Sequence, residues 1–117
     1  IQRRFPGGWE RRGRDFANCG APGGESFVDL SARVIPAFQE IVQRCNQHAL
    51  VVAHAGVIRV IIAHILGMPL DKIFSIVVAH GAVTILTTHQ DGLKIHSLNV
   101  PVSLLQENLF LNTRLWP

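Results

Sequence analysis

Apolar positions along residues 27–45 recur every three or four residues. Phe27, Leu30, Val34, Phe38, Ile41 and Cys45 form one stripe, which predicts an amphipathic helix of about six turns. Ser26 with Asp29 three residues on reads as a capping box at its start. Pro36 lies inside the stripe and predicts a kink. The pattern then changes. "ALVVA" (49–53) is continuously apolar, as in a strand buried on both faces of a sheet. "GVIRVIIAHILG" (56–67) reads as a helix apolar almost all round, with Gly67 as its stop and Pro69 opening a short turn. "FSIVVA" (74–79) and "AVTILTT" (82–88) read as strands broken by His80-Gly81. "HQDG" (89–92) predicts a hairpin turn into the partner strand "LKIHSLNV" (93–100). Residues 1–24 are rich in Arg, Gly and Pro and lead through "APGGES" into the first helix, while 101–117 has only a weak apolar period.

Helix, strand, helix and then strands predict an α/β fold: a three-layer sheet with helices on both faces. "ALVVA" lacks polar alternation, so it expects a neighbour on each edge and helices on both sides. Ligands of such sheets bind outside the carboxyl ends of the strands. His54 stands at that edge, where 49–53 must stop. The amides of Ala55, Gly56 and Val57 follow at a helix start, where unpaired N–H groups and the helix dipole favour an anion. Gly56 lets a ligand approach the backbone closely. A cationic imidazole beside these amides is a sensible phosphate seat. Taken alone, a histidine after a strand is more often a hydrogen-bonded structural residue. His64, inside the apolar helix, is expected to be a satisfied, half-buried ring, and His80 before Gly81 is a candidate for the same sheet edge as His54.

Composition narrows the choice. At 117 residues, 48% hydrophobic and 16% charged, the chain is globular and amounts to one domain with a single core. Residues 49–66 are apolar but contain His54, Arg59 and His64, which argues against a membrane span. Five arginines in residues 1–14 (Arg3, Arg4, Arg11, Arg12 and Arg14) face only Glu10, whereas the rest of the chain is nearly balanced. No aromatic-interleaved basic stripe follows, so a solvated segment is preferred to a nucleic-acid arm. Cys19 and Cys45 make no C-x-x-C and read as reduced thiols of a cytoplasmic protein. The six histidines show no H-x-x-x-H and no acidic ligand set, so no metal is expected. No G-x-S-x-G, Walker loop or G-x-G-x-x-G occurs. The chain begins at Ile1 in the middle of a basic segment, which suggests a piece of something longer.

"PGGES", the helix ending in "RCN", "LVVAHAGVIRVIIAHILGMPL" and "AHGAVTIL…GLKIHSLN" together resemble the histidine phosphatase superfamily, the phosphoglycerate-mutase-like fold. The resemblance runs from about Gly20 to Val100 and is closest to the alpha-ribazole phosphatases of cobalamin assembly. It implies phosphoryl transfer without a cofactor. A histidine in an R-H-G motif attacks phosphorus and becomes phosphohistidine, an acid protonates the leaving oxygen, and water hydrolyses the intermediate. A second histidine, matched by His54, holds the phosphoryl oxygens and stabilises the charge that develops on them. The turn amides match Ala55 and Gly56, and Arg59 matches a position that faces substrate in some relatives. Ala55 stands where a glycine or polar residue is often found. No R-H-G occurs in the chain, and Glu10 lies too close before "GGES" to match the family's acid.

The chain therefore reads as the carboxy-terminal half of a histidine phosphatase domain, supplying His54 and part of the sheet. The expected substrate is a small phosphorylated metabolite, specifically alpha-ribazole-5'-phosphate. A missing amino-terminal half or a swapped copy would fill the open edge, with homo-oligomer formation left open and neither nucleic acid nor membrane as partner. The alternatives are a phosphoglycerate mutase and a non-catalytic remnant serving as an interaction domain.

Overall fold

The computed structural model describes residues 15–108, with side-chain surroundings to residue 105. The arginine-rich segment 1–14, Glu10 and the tail beyond residue 108 lie outside the described residues. Two compact units divide between Ile76 and Val77, where the sequence predicts a single core.

In the first unit, α1 (Phe27–Arg44) starts at the predicted capping box. Ser26 Oγ accepts from the Asp29 amide at 3.1 Å, and the Asp29 carboxylate accepts from the Ser26 amide at 2.9 Å. Two otherwise unpaired donors are thereby satisfied. That amide contact, with help from the Ser26 hydroxyl, holds the Asp29 carboxyl below the ordinary carboxylate range. The approach to the cap is tight. A Cβ at Gly20 would fall 2.5 Å from the Glu25 carbonyl oxygen, so the loop closes here only without a side chain. Glu25 then pairs bidentately with Arg33 on the first turns of α1. The helix runs through Pro36, whose missing donor would have bonded the carbonyl of Ala32; both residues are exposed, so water can take that carbonyl. Val34 and Phe38 carry the buried stripe, while Ile41 near the end is exposed.

α2 (Ala55–Leu66) packs against α1 and buries Val60, Ile61, Ile62 and Ala63. It ends as the glycine predicted. Gly67 adopts φ 66, its amide donates to the His64 carbonyl at 3.3 Å, and the Met68 amide donates to Ala63 at 2.8 Å. This is a Schellman closure. His64 is exposed rather than half-buried: burial of α2 stops at Ala63, and in its last turn His64 and Leu66 are both exposed.

Two predicted strands do not form. Residues 49–53 pair in no ladder, and Leu50 and Val52 are 85% and 88% exposed. A strand needs neighbours to take its N–H and C=O groups, and none of the described residues supplies one. "FSIVVA" begins instead inside a 3-10 helix, Leu70–Ser75, that presents Ile73 to the core. The Ile76 amide donates back to Ile73 and the Ile76 carbonyl accepts from Arg59 Nε at 3.0 Å, so both of its ladder groups are already committed.

The second unit is the predicted hairpin. β1 (Ala82–His89) pairs antiparallel with β2 (Gly92–Pro101) across the Gln90-Asp91 turn, and α3 (Val102–Asn108) follows. The register is irregular around Thr84. There Asn99 adopts φ 55, donates its amide to Thr84 Oγ1 at 3.3 Å, and accepts the Ala79 amide on its side-chain oxygen at 2.7 Å. The described residues thus contain one two-stranded antiparallel sheet, and they do not form the expected three layers with helices on both faces. Cys19 and Cys45 are free thiols. Among the described residues, no helix is long and apolar enough to cross a membrane and no cluster could hold a metal.

Candidate functional site

His54 occupies the N-cap of α2, with extended backbone (φ −82, ψ 160). Its carbonyl accepts the first bond of the helix from the Ile58 amide at 3.1 Å, but its ring makes no capping hydrogen bond. The ring is exposed. Serine or aspartate at an N-cap spends its side chain on the helix's own amides; imidazole here leaves those amides to something else. Ala55, Gly56 and Val57 form the first turn, whose N–H groups have no acceptor within the helix, and no acidic residue sits there to compete for an anion.

Gly56 touches the base of α1. A Cβ added to it would lie 3.6 Å from Phe27 Cε1 and 3.8 Å from Leu30 Cδ2, ordinary contact distances. Packing therefore tolerates alanine at this position. What glycine provides is bare backbone beside His54.

Arg59, one turn further along α2, is half-buried and braced. Its Nε donates to Ile76, and its guanidinium carbon lies 5.4 Å from the centre of the Phe74 ring. Phe74 meets Phe27 edge-to-face at 5.6 Å and Phe16 at 4.8 Å, and Phe16 and Phe27 also pair at 6.0 Å. Sequence reasoning missed this aromatic cluster. Phe16, Phe27 and Phe74 are far apart along the chain, share no period, and Phe74 lies in a segment read as a strand.

His54, Ala55, Gly56 and Arg59 are thus brought together on one end of α2. His80 belongs to the second unit, exposed on the turn that leads into β1, next to the Ala79 amide held by Asn99.

A cap histidine beside helix-start amides with no acceptor inside the helix is a general anion seat; the protein class comes from comparison with known sequences. The chain belongs to the histidine phosphatase superfamily (branch 1), whose family model matches residues 1–101. It is 32% identical over 73 residues to the 6-phosphofructo-2-kinase/fructose-2,6-bisphosphatase of Caenorhabditis elegans, a match covering 62% of this chain and 16% of that protein. Among solved structures it is similar to the alpha-ribazole phosphatase from Shigella flexneri, with a TM-score of 0.70 at 25% identity, covering 79% of this chain and 46% of that one. It also shares the fold of a phosphoserine phosphatase mutant from Entamoeba histolytica, solved in complex with phosphoserine. That match has a TM-score of 0.63 at 16% identity and covers 79% and 48% of the two chains. The chain spans about half the length of these solved relatives and a smaller share of the bisphosphatase.

Proposed function

We propose that this chain carries the second-histidine part of a phosphatase site acting on a small phosphorylated metabolite, with alpha-ribazole-5'-phosphate as the specific candidate. The observation that supports it most is His54 at the α2 N-cap with its ring unspent on the helix, in a chain of this superfamily. In this reading the imidazolium and the amides of Ala55, Gly56 and Val57 hold the phosphoryl oxygens, and Arg59 faces the substrate. The nucleophilic histidine attacks phosphorus, the leaving oxygen takes a proton from an acid, and water later cleaves the phosphorus–nitrogen bond to release phosphate. These 117 residues hold no R-H-G, so the nucleophile comes from other sequence. The open segment 49–53 supports the same picture: it offers both edges to further strands, which would complete the three-layer sheet. An amino-terminal half of the domain or a swapped copy fills that role.

Phosphate titration followed by NMR tests the reading. Charge-assisted hydrogen bonds are each worth roughly 1.5–3 kcal/mol. After the cost of immobilising the ion, the half-site is expected to bind with about millimolar affinity, about −4 kcal/mol. The amides of Ala55, Gly56 and Val57 should shift in the native chain and not in His54→Ala. Shifts confined to residues 1–14 and equal in both proteins would overturn the assignment. The chain alone should not turn over p-nitrophenyl phosphate, and turnover abolished by His54→Ala would mean that the site is complete within it.

A further inference from the structure

Open strand edges invite pairing with other chains, and proteins guard them with charge, proline or a break in register. The hairpin carries such guards. Lys94 stands on β2, Pro101 closes it, and the register breaks between Val83 and Leu86. Residues 49–53 carry none. No Lys, Arg, Asp or Glu lies between Arg44 and Arg59, and no proline falls in that span. Among the described residues no backbone hydrogen bond reaches 49–53. Exposure along the stretch alternates: Leu50 and Val52 stand almost bare, while Val51 between them is 44% exposed. That is strand periodicity, with one apolar face turned to solvent.

We propose that 49–53 is a self-association surface, to which a second copy of this chain adds as an antiparallel strand in a register centred on Val51. A second copy brings the same unpaired edge and no charge to oppose. A closed two-fold contact joins the same segment of both copies, and about an axis through the sheet the two strands run in opposite directions. With Val51 on the axis, Leu50 meets the partner's Val52 and Ala49 meets the partner's Ala53, so the whole apolar run is matched. The neighbouring registers set Val52 against His48 or Leu50 against His54, and shorten that match. Five residues a side bury less than the roughly 1,200 Å² of a stable specific interface, so the dimer is weak and depends on concentration. In dilute solution the chain is single and the stretch stays open. A further strand laid on the same edge would displace the second copy.

Sedimentation equilibrium of the full chain tests the proposal, over about 10 µM to about 1 mM and in a reductant that keeps Cys19 and Cys45 as thiols. The mass is expected to rise from one chain to a plateau at two, with half-association at about 0.1–1 mM. Val52→Lys sets a charge on the edge and should weaken association at least about tenfold. Its side chain faces solvent, so the variant should fold, which the dispersion of its amide spectrum checks. Val77→Lys, at an exposed valine outside the stretch, should associate like the native chain. In a mixture of labelled and unlabelled chains, intermolecular NOEs are expected between the Leu50 methyls and the partner's Val52. Mass that stays at one chain, or climbs past two without a plateau, overturns the proposal. So does association that survives Val52→Lys, association lost equally in Val77→Lys, or a dimer without the Leu50–Val52 NOEs. None of these outcomes bears on the phosphate reading of His54, which is read from the Ala55, Gly56 and Val57 amides.

Discussion

Residues 49–53 and residues 55–66 are neighbours in sequence and nearly equal in apolar character, yet they meet opposite fates. Val60 and Ile62 are each 1% exposed, whereas Leu50 and Val52 are almost bare. The difference lies in the backbone. α2 closes its own hydrogen bonds along its axis, so it needs only side-chain burial, and α1 and the 3-10 helix pack against it. An extended stretch can close nothing by itself. Its N–H and C=O groups, and both of its faces, depend on chains laid beside it. Apolar sequence thus marks a wish for burial, and the second partner decides whether the wish is met.

The largest effect should come from breaking the buried side. Ile62→Ala empties a fully enclosed site and is expected to cost about 2–5 kcal/mol in urea unfolding. Val52→Ala in the same chain should change stability by less than about 0.5 kcal/mol. Comparable losses at both positions would show that 49–53 is covered in solution, by a second copy or by residues outside those described. Amide exchange sharpens the same contrast: residues 50–53 should exchange quickly, and the interior of α2 slowly.

Next in size is the anchor of α1, against which α2 packs. Gly20→Ala pushes a methyl into the Glu25–Ser26 backbone and should destabilise by about 1–3 kcal/mol. Ser26→Ala removes the cap and should cost about 1 kcal/mol, read as a lower midpoint in the same unfolding experiment. The carboxyls here give a signature in acid. Arg33 beside Glu25 lowers that carboxyl, chiefly through their hydrogen bond, and the Ser26 amide lowers Asp29. Groups depressed in the folded state stabilise it above their unfolded values, and the contribution is lost as pH falls through the folded ones. Thermal midpoints should therefore decline toward acid in the native chain, and Asp29→Asn should flatten part of that decline.

The smallest effect separates packing from binding. Gly56→Ala should stabilise the chain by about 0.5 kcal/mol, since alanine suits a helix and the space is adequate. If bare backbone serves the anion, the same substitution should weaken phosphate binding at Ala55–Val57 in the NMR titration. Stabilisation with unaltered binding would leave Gly56 without a role at the site.

Much of the molecule was legible from local signals. The Ser26–Asp29 box, the α1 stripe, the Gly67 stop and the Gln90-Asp91 hairpin each depend on residues within a few positions, where backbone geometry and hydrogen bonding are decided by near neighbours. His54 as the residue before a helix was legible for the same reason. The fate of "FSIVVA" was not, because Arg59 claims the Ile76 carbonyl from 17 residues away. Nor was the Phe16–Phe27–Phe74 cluster, or the Asn99 side chain that holds the Ala79 amide across 20 residues. The sequence alone determined where α1 and α2 begin and stop and which histidine caps α2, since those features are local. Only the tertiary structure decided which apolar stretches are covered and what surrounds Arg59, because burial and side-chain pairing depend on chain that is distant in sequence.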